Sequence, residues 1–174
     1  VRGGATVVQL RAKDLPARDF AALASETARR LAPTGVPLLI NDRVDIALAC
    51  GAAGVHLGQD DVAAADARRV LGPGAVIGVS VNTPEEARRA AAEGADYVGA
   101  GPAFATSTKD TPLAVLGPDG VARIKRAAGV PVVAIGGITA ANAASLAADG
   151  ADGVAVVSAI LGSPDPEGAA ADLV

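Results

Sequence analysis

The chain has 174 residues and a formal net charge of −4; 51% of its residues are hydrophobic and 2% are aromatic. This length favours a single domain spanning residues 1–174, and no Lys/Arg cluster is dense enough to indicate a nucleic-acid-binding surface. No apolar run reaches the roughly 20 residues of a membrane span, and no signal peptide is visible. The single Cys50 excludes an intrachain disulfide and fits a reducing compartment, so we expect a cytoplasmic protein without nucleic-acid or membrane partners.

Seven short runs rich in Val and Ile predict seven β-strands, at residues 5–10, 37–40, 54–57, 75–79, 96–100, 131–135 and 153–157. Stretches rich in Ala, Arg and Glu lie between most of them with the spacing of amphipathic helices, for example 18–31 and 84–93. The second of these helices has a clear start, with Thr83 as the cap, Pro84 at the first helical position and Glu86 three residues after the cap. Alternating strands and helices predict an α/β fold with a parallel sheet.

A Gly-Ala pair precedes four of the predicted strands, at Gly4, Gly51, Gly94 and Gly150. A glycine in the left-handed conformation closes a helix, so each pair predicts a helix end followed by a strand. Each interval between pairs contains one further strand, and the chain opens on a predicted helix end. The pattern therefore predicts a (β/α)8 TIM barrel that lacks its first βα unit. The rival is a doubly wound open sheet, which predicts a Gly-rich dinucleotide loop that this chain does not have.

Polar residues cluster just after the predicted strands, at ends that share one rim in a barrel. They include three kinds of group: Gln9, Arg11, Lys13 and Asn41 as cationic or amide side chains; Asp42, Asp45, Asp60 and Asp61 as carboxylates; and Ser80, Thr106, Ser107, Thr108, Lys109 and Ser158 as hydroxyls with a lysine. Cations bind phosphoryl oxygens, and carboxylates from different strands hold Mg²⁺. Gly136-Gly137 and Val157-Ser158-Ala159 leave backbone N–H groups before helices, which suits an anion.

Structural interpretations compete with these functional ones. Asp42 and Asp45 suit caps of the helix that follows them, and we favour that interpretation for Asp45; one of Asp60 and Asp61 is also expected to cap a helix. His56, the only histidine, lies inside an apolar strand and is expected to be structural.

Further groups have structural interpretations as well. Arg11 and Lys13 suit a solvated strand end, and Gly136-Gly137 suits a tight turn without a ligand. The irregular segment 101–118, with its hydroxyl groups and Lys109, is the least easily explained without an anionic ligand.

Eight segments, in order along nearly the whole chain, resemble the thiamine-phosphate synthase family. They are Gln9-Leu10-Arg11-Ala12-Lys13, Asn41-Asp42-Arg43-Val44-Asp45, Gly54-Val55-His56-Leu57-Gly58-Gln59-Asp60-Asp61, Gly78-Val79-Ser80, Asp96-Tyr97-Val98-Gly99-Ala100-Gly101-Pro102, Thr106-Ser107-Thr108-Lys109, Gly136-Gly137-Ile138 and Val157-Ser158-Ala159-Ile160. The resemblance implies a (β/α)8 barrel that couples a hydroxymethylpyrimidine diphosphate to a thiazole phosphate and releases diphosphate. Its substrates are small molecules and its cofactor is Mg²⁺.

The resemblance also implies a role for each matching residue. Gln9, Arg11, Lys13, Asn41 and Lys109 bind the pyrimidine diphosphate, Asp42 and Asp61 bind Mg²⁺, Ser80 contacts the pyrimidine, and Thr106, Thr108, Gly137, Val157 and Ser158 bind the thiazole phosphate. Arg11, Lys13, Lys109 and Ser80 are the expected catalytic residues. The implied reaction passes through a pyrimidine carbocation and needs no protein nucleophile, which fits the lack of an evident Ser-His or Cys-His arrangement.

The chain departs from the family pattern in two places: the first strand and helix are expected before Gly3, and Asp110 stands where a second lysine is common. Two rival functions compete with this one. One is the thiazole tautomerase branch of the same fold, whose members tend to carry His where this chain has Pro102. The other is a non-catalytic phosphate-binding barrel, which predicts phosphate binding without Mg²⁺-dependent turnover.

Overall fold

The computed structural model describes residues 1–106 and 113–174, in which seven strands alternate with helices. The strands are β1 (Val8–Leu10), β2 (Leu38–Asn41), β3 (Gly54–Leu57), β4 (Val76–Val81), β5 (Tyr97–Ala100), β6 (Val132–Ile135) and β7 (Gly153–Ala155). The helices are α1 (Ala17–Leu31), α2 (Val44–Cys50), α3 (Ala64–Leu71), α4 (Pro84–Ala92), α5 (Gly117–Ala128), α6 (Ala140–Ala148), α7 (Ser158–Leu161) and α8 (Pro166–Ala171). None of these described helices is long and apolar enough to cross a membrane.

The seven strands form one parallel sheet in the order β1-β2-β3-β4-β5-β6-β7. Sequential order without a reversal is the arrangement of a (β/α) barrel and excludes the doubly wound rival, in which the strand order reverses. The predicted (β/α) barrel fold class is therefore confirmed, with seven parallel strands in residues 1–106 and 113–174. Strand β1 starts at Val8 rather than residue 5 because its first partner, Leu38, is also the first residue of β2. Strand β7 ends at Ala155 for the same reason, since β6 ends at Ile135.

Alternate residues of each strand face the helices and form the core. Ile40, Val55, Ile77 and Val98 are fully buried on this side of four successive strands. The helices cover them mainly with alanine, for example Ala67 of α3. Small side chains allow helices to lie close to the sheet, which explains how a chain with so few aromatic residues fills its interior.

The segment before β1 packs against the last helix, so the two ends of the chain meet. A side-chain carbon on Gly3 would overlap the carbonyl oxygen of Glu167 at 2.1 Å, and one on Gly4 would overlap Val174. Arg2 Nε also lies 2.7 Å from Glu167 Oε2. These contacts join the segment before β1 to the segment after β7.

The Gly-Ala repeat ends in an aspartate at two of its copies, and both aspartates join neighbouring strands. Asp96 Oδ2 accepts a hydrogen bond from the Ile77 N–H at 2.7 Å and forms an ion pair with Arg68 at 2.7 Å. Asp152 Oδ2 makes the same two contacts, to the Val132 N–H at 2.7 Å and Lys125 at 2.6 Å. These carboxylates tie β4 to β5 and β6 to β7 at the edge of the sheet opposite the predicted site.

Helix starts were predicted with mixed success. Thr83 caps α4 as expected, with its hydroxyl accepting from the Glu86 N–H at 3.1 Å. The expectation for Asp45 is wrong: Arg43 is the cap residue of α2, and the Asp45 carboxylate pairs with the Arg43 guanidinium at 2.6 Å. The expectation that Asp60 or Asp61 caps a helix is also wrong, because α3 begins at Ala64 without a side-chain cap.

Candidate active site

The predicted site residues follow the carboxyl ends of the parallel strands, which lie at one edge of the sheet. Gln9 is on β1, with Arg11 and Lys13 just beyond it; Asn41 ends β2 and Asp42 follows; Asp61 follows β3; Ser80 lies on β4; Thr106 follows β5; Gly137 follows β6; and Val157 and Ser158 lie beyond β7. Ligand sites of α/β barrels are built at this edge. Thr108 and Lys109 fall outside the described residues.

A lysine and two aspartates meet after the first three strands. Lys13 Nζ lies 2.9 Å from Asp42 Oδ2, and the Asp61 side chain is close enough to Asp42 for each to shift the pKa of the other. Asp61 Oδ2 also accepts from the Gly58 N–H at 2.7 Å. Asp42 adopts a left-handed backbone conformation with φ of 63°, a conformation that few residues other than Gly, Asn and Asp adopt. The carboxylate pair is thus held by a lysine, by a backbone amide and by an unusual backbone conformation.

The two carboxyls of this pair have opposite pKa shifts. Burial raises the pKa of Asp42, but hydrogen bonds from Lys13 and Asp61 outweigh burial and bring the pKa below its ordinary value. Burial raises the pKa of Asp61, the neighbouring Asp42 carboxylate raises it further, and the Gly58 N–H opposes them without cancelling the increase. Two carboxylates this close repel each other unless a proton or a cation lies between them. The Asp61 carboxyl holds that proton more tightly than an ordinary aspartate.

This pair suits a hard divalent cation. No group of three or more His, Cys, Asp or Glu side chains suited to a metal occurs in the described part of the chain. Mg²⁺ characteristically takes one or two carboxylates and completes its shell with water and substrate phosphate. Asp42 and Asp61 therefore fit Mg²⁺ in the presence of a phosphorylated ligand.

Three side chains on neighbouring strands, Tyr97, His56 and Ser80, form a hydrogen-bonded chain. His56 on β3 is 7% exposed, and its Nδ1 lies 2.7 Å from the Tyr97 hydroxyl. The His56 Nε2 lies 2.9 Å from Ser80 Oγ. Burial raises the pKa of Tyr97 above its ordinary value, so the phenol stays protonated at neutral pH. His56 is buried as expected, but it contacts a predicted site residue, Ser80, and Tyr97 was not predicted to belong to the site.

Gln59 also supports Ser80, from the loop that follows β3. Its Nε2 donates to the Ser80 carbonyl oxygen at 2.6 Å, and its Oε1 accepts from Arg89 of α4. Both the backbone and the side chain of Ser80 are thereby held. The sequence signal for Gln59 was its position directly after a strand, whereas Tyr97 gave no signal because it begins its strand.

The second half of the site lies beyond β5 and β6. The Phe104 N–H donates to the Gly136 carbonyl oxygen at 3.0 Å, so the segment that leads to Thr106 runs beside the Gly136-Gly137 turn. Gly137 has φ of 64°, and a side-chain carbon there would overlap the Ala105 carbonyl oxygen at 2.4 Å. The structure therefore places the residue before Thr106 against Gly137, and their joint role as a phosphate subsite stays a prediction. A helix begins at Ser158, but it has only four residues and so offers a single turn of backbone N–H groups.

Together, the parallel barrel-type fold and its edge of cations, paired carboxylates and glycine turn define a class: a barrel enzyme that binds phosphorylated small molecules. Comparison with known proteins narrows this class. The sequence model for thiamine monophosphate synthase matches residues 1–160. The chain belongs to the thiamine monophosphate synthase family.

Individual relatives agree with the family match. The chain is 52% identical over 169 residues to the thiamine-phosphate synthase of Roseiflexus sp., a match that covers 97% of this chain and 72% of the relative. It is 46% identical over 168 residues to the thiamine-phosphate synthase of Moorella thermoacetica, covering 97% and 80%. The solved structure of thiamine phosphate pyrophosphorylase from Pyrococcus furiosus superimposes with a TM-score of 0.90 at 38% identity, covering 99% of this chain and 82% of that one.

Proposed function

We propose that the chain is a thiamine-phosphate synthase, a transferase. It couples 4-amino-2-methyl-5-hydroxymethylpyrimidine diphosphate to 4-methyl-5-(2-phosphoethyl)thiazole, giving thiamine phosphate and diphosphate. The family match and the relatives at about half identity support this activity. The structural observation that carries the proposal is the cluster of Lys13, Asp42 and Asp61, since it combines a cation and a carboxylate pair where a diphosphate and its metal must bind.

The proposed metal is Mg²⁺, with Asp42 and Asp61 as its protein ligands. When bound, Mg²⁺ neutralises the negative charge that develops on the departing diphosphate. Asp61 binds the metal in its ionised form, since metal ligands of this type must be deprotonated. Lys13 already lies beside Asp42 and is positioned to contact a phosphate oxygen next to the metal.

The remaining cationic and amide groups hold the pyrimidine substrate. Gln9, Arg11 and Asn41 lie on or just beyond β1 and β2, and of these Arg11 is close enough to lower the pKa of Asp42. Lys109 is proposed to bind the diphosphate as well. Since charge-assisted hydrogen bonds to phosphate oxygens strengthen as the leaving group gains charge, these residues favour the transition state over the bound substrate.

The thiazole phosphate is assigned to the other side of the same edge. Thr106, Thr108, Gly137, Val157 and Ser158 supply its hydroxyl and backbone N–H groups. Ser80 lies on β4, between the two sides, and contacts the pyrimidine ring. This arrangement holds the thiazole nitrogen opposite the departing diphosphate, so the nitrogen captures the pyrimidine carbocation as it forms. The protein positions the two substrates and stabilises the charge of the departing diphosphate, and it supplies no nucleophile. We place the reaction in the cytoplasm, where Cys50 stays reduced.

A single assay tests the activity. The full-length protein is incubated with both phosphorylated substrates and Mg²⁺, and thiamine phosphate is measured; omission of either substrate or addition of a chelator should stop its formation. Isomerisation of a thiazole substrate without coupling would instead favour the tautomerase function. Phosphate binding without any turnover would favour a non-catalytic barrel.

A further inference from the structure

The Tyr97-His56-Ser80 chain has a direction that follows from the hydrogen-bonding capacity of its members. Tyr97 is largely buried, and among residues 1–106 and 113–174 its hydroxyl has His56 Nδ1 as its only hydrogen-bond partner, at 2.7 Å. A buried phenol that cannot donate its O–H loses a full hydrogen bond. Tyr97 therefore donates to Nδ1, and this nitrogen is the unprotonated one.

The tautomer of His56 then decides what Ser80 can do. A neutral imidazole that accepts at Nδ1 carries its proton on Nε2, and this proton points at Ser80 Oγ, 2.9 Å away. Because Ser80 Oγ accepts the hydrogen bond from His56, Ser80 does not donate its own hydroxyl proton to His56 or to Tyr97. In the opposite tautomer Nε2 carries no proton, so Ser80 would have to donate its hydroxyl proton to Nε2.

Two glycines give the rings the space for this chain. Gly78 lies between His56 and Tyr97 in the sheet register, and a side-chain carbon there would overlap the Tyr97 ring at 2.1 Å. Gly99 lies beside Ser80, and a side-chain carbon there would lie 2.8 Å from His56 Cε1. The Tyr97 ring therefore passes over Gly78 of β4 to reach His56. The His56 ring, which contacts Ser80, lies over Gly99 of β5.

We propose that Tyr97 and His56 are positioning residues that fix the Ser80 side chain and keep its hydroxyl proton for donation to the pyrimidine substrate. This role rests on the proposed function for its ligand, although the hydrogen-bonded chain itself exists without one. Tyr97 and His56 act only through Ser80. Ser80 then offers its O–H to an acceptor atom of the pyrimidine, such as a ring nitrogen.

The direction of the chain is tested without substrate. His56 is the only histidine, so the imidazole signals of ¹⁵N-histidine-labelled full-length protein belong to one residue. At neutral pH we expect a ring protonated on Nε2 and unprotonated on Nδ1, and in Tyr97→Phe a mixture of tautomers. Protonation of Nδ1 in the wild-type protein would overturn the proposal. Because this measurement needs no turnover, it stands even if the assay for thiamine phosphate fails and the proposed function is rejected.

The coupling to Ser80 is tested by kinetics. Tyr97→Phe should lower kcat/KM for the pyrimidine diphosphate by about tenfold, the value of one hydrogen bond, and leave KM for the thiazole phosphate unchanged. In Ser80→Ala the same change at Tyr97 should have almost no further effect, since the two residues act as one unit. The matched control is Val98→Ala, a fully buried neighbour of Tyr97 on the same strand. It should lower thermal stability without altering the tautomer or the ratio of the two KM values. Additive effects of the Tyr97 and Ser80 changes, or the same kinetic pattern in Val98→Ala, would contradict the proposal.

Discussion

Lys13 Nζ and Asp42 Oδ2 lie 2.9 Å apart and join the segment after β1 to the end of β2. Since Asp42 also interacts with Asp61 after β3, groups from three successive strand ends meet at one carboxylate. The Lys13 side chain is 51% exposed and the Asp42 side chain is 19% exposed, so a ligand from solvent reaches the lysine first.

Replacement of Asp42 should separate the chemistry of its carboxylate from the strain of its backbone. Asp42→Asn and Asp42→Gly both suit a φ of 63° but lack the charge, so each should lose Mg²⁺-dependent coupling by about 100-fold or more while unfolding at nearly the wild-type temperature. Asp42→Ala should lose the same activity and in addition about 1 kcal/mol of stability, because alanine is strained there. Thermal melts and initial rates over a range of Mg²⁺ concentrations check both parts. Full activity in the asparagine variant would remove Asp42 from the metal site.

Replacement of Lys109 tests the assignment of the diphosphate. Lys109→Ala should lower kcat/KM for the pyrimidine diphosphate by about 10- to 100-fold, since it removes a charge-assisted hydrogen bond. The exposed Arg126 on α5 provides a control that removes the same charge away from the strand ends. Steady-state kinetics with each substrate varied in turn measure the effect. Equal kinetics in Lys109→Ala and Arg126→Ala would reject the role of Lys109.

A methyl group at Gly137 should disturb the thiazole phosphate subsite. In Gly137→Ala the new carbon overlaps the Ala105 carbonyl oxygen and displaces the segment that leads to Thr106, so KM for the thiazole phosphate should rise more than KM for the pyrimidine diphosphate. Gly129→Ala is the matched control, because Gly129 has a similar φ of 68° but nothing within 4 Å of the added carbon. Both variants should lose about 1 kcal/mol of stability to backbone strain, and Gly137→Ala should lose more because of the overlap with Ala105. Only the first should show the change in KM, and an unchanged KM there would place the phosphate elsewhere.

Removal of the Asp152 carboxylate should destabilise the fold without affecting the site directly. Asp152→Ala leaves the buried Val132 N–H without its side-chain acceptor, which costs about 1 to 3 kcal/mol. The ion pair with Lys125 and the hydrogen bond from Val132 hold the pKa of Asp152 below its ordinary value of 3.8. The stability that the Asp152 carboxylate contributes is therefore fully present above pH 3.8, and it disappears as the pH falls through the lower pKa of Asp152 in the folded state.

Urea unfolding of wild type and Asp152→Ala at neutral and acid pH measures this difference. Asp149→Ala, which removes an exposed carboxylate three residues earlier, is the control and should change stability little. A stability difference that persists undiminished at the lowest pH would show that the carboxylate charge is not its source.

Tyr97 should make the protein sensitive to alkali. Burial raises its pKa above the ordinary value of 10.0, so the folded state holds the phenol proton more tightly than the unfolded chain does. Stability should therefore be unaffected by this group below pH 10 and should fall as the pH rises above that value. As Tyr97 is the only tyrosine and the chain has no Trp, ultraviolet absorbance follows its ionisation directly. The alkaline loss should be smaller in Tyr97→Phe, and normal ionisation near pH 10 in the folded protein would contradict the burial.

Much of the fold could be predicted because local patterns determine it. The apolar runs located all seven strands, and the Thr83 cap located the start of α4. The predicted strand ends at residues 5–7 and 156–157 were wrong because a strand needs a partner: β1 cannot extend beyond the start of β2, nor β7 beyond the end of β6. Pairing of this kind depends on the neighbouring strand and is invisible in a single segment.

The site was predicted only in part for a similar reason. Strand-end position and residue type were enough to select Asp42 and Asp61, which the structure brings together. The contact of His56 with Tyr97 and Ser80 depends on the register of three strands and on two glycines between them, none of which a single segment specifies. Asp45 was misassigned because Arg43, two residues away, competes for its carboxylate.

Asp96 and Asp152 also have a consequence for the motion of the sheet. Each fastens one pair of strands, β4 with β5 and β6 with β7, at the edge away from the ligands, whereas Ala53 occupies the matching place before β3 and has no carboxylate to do so. The carboxylates thus fasten the sheet in pairs of strands, at the edge where the strands begin. Loss of either carboxylate should therefore loosen the register of its own strand pair and leave the other pair unchanged.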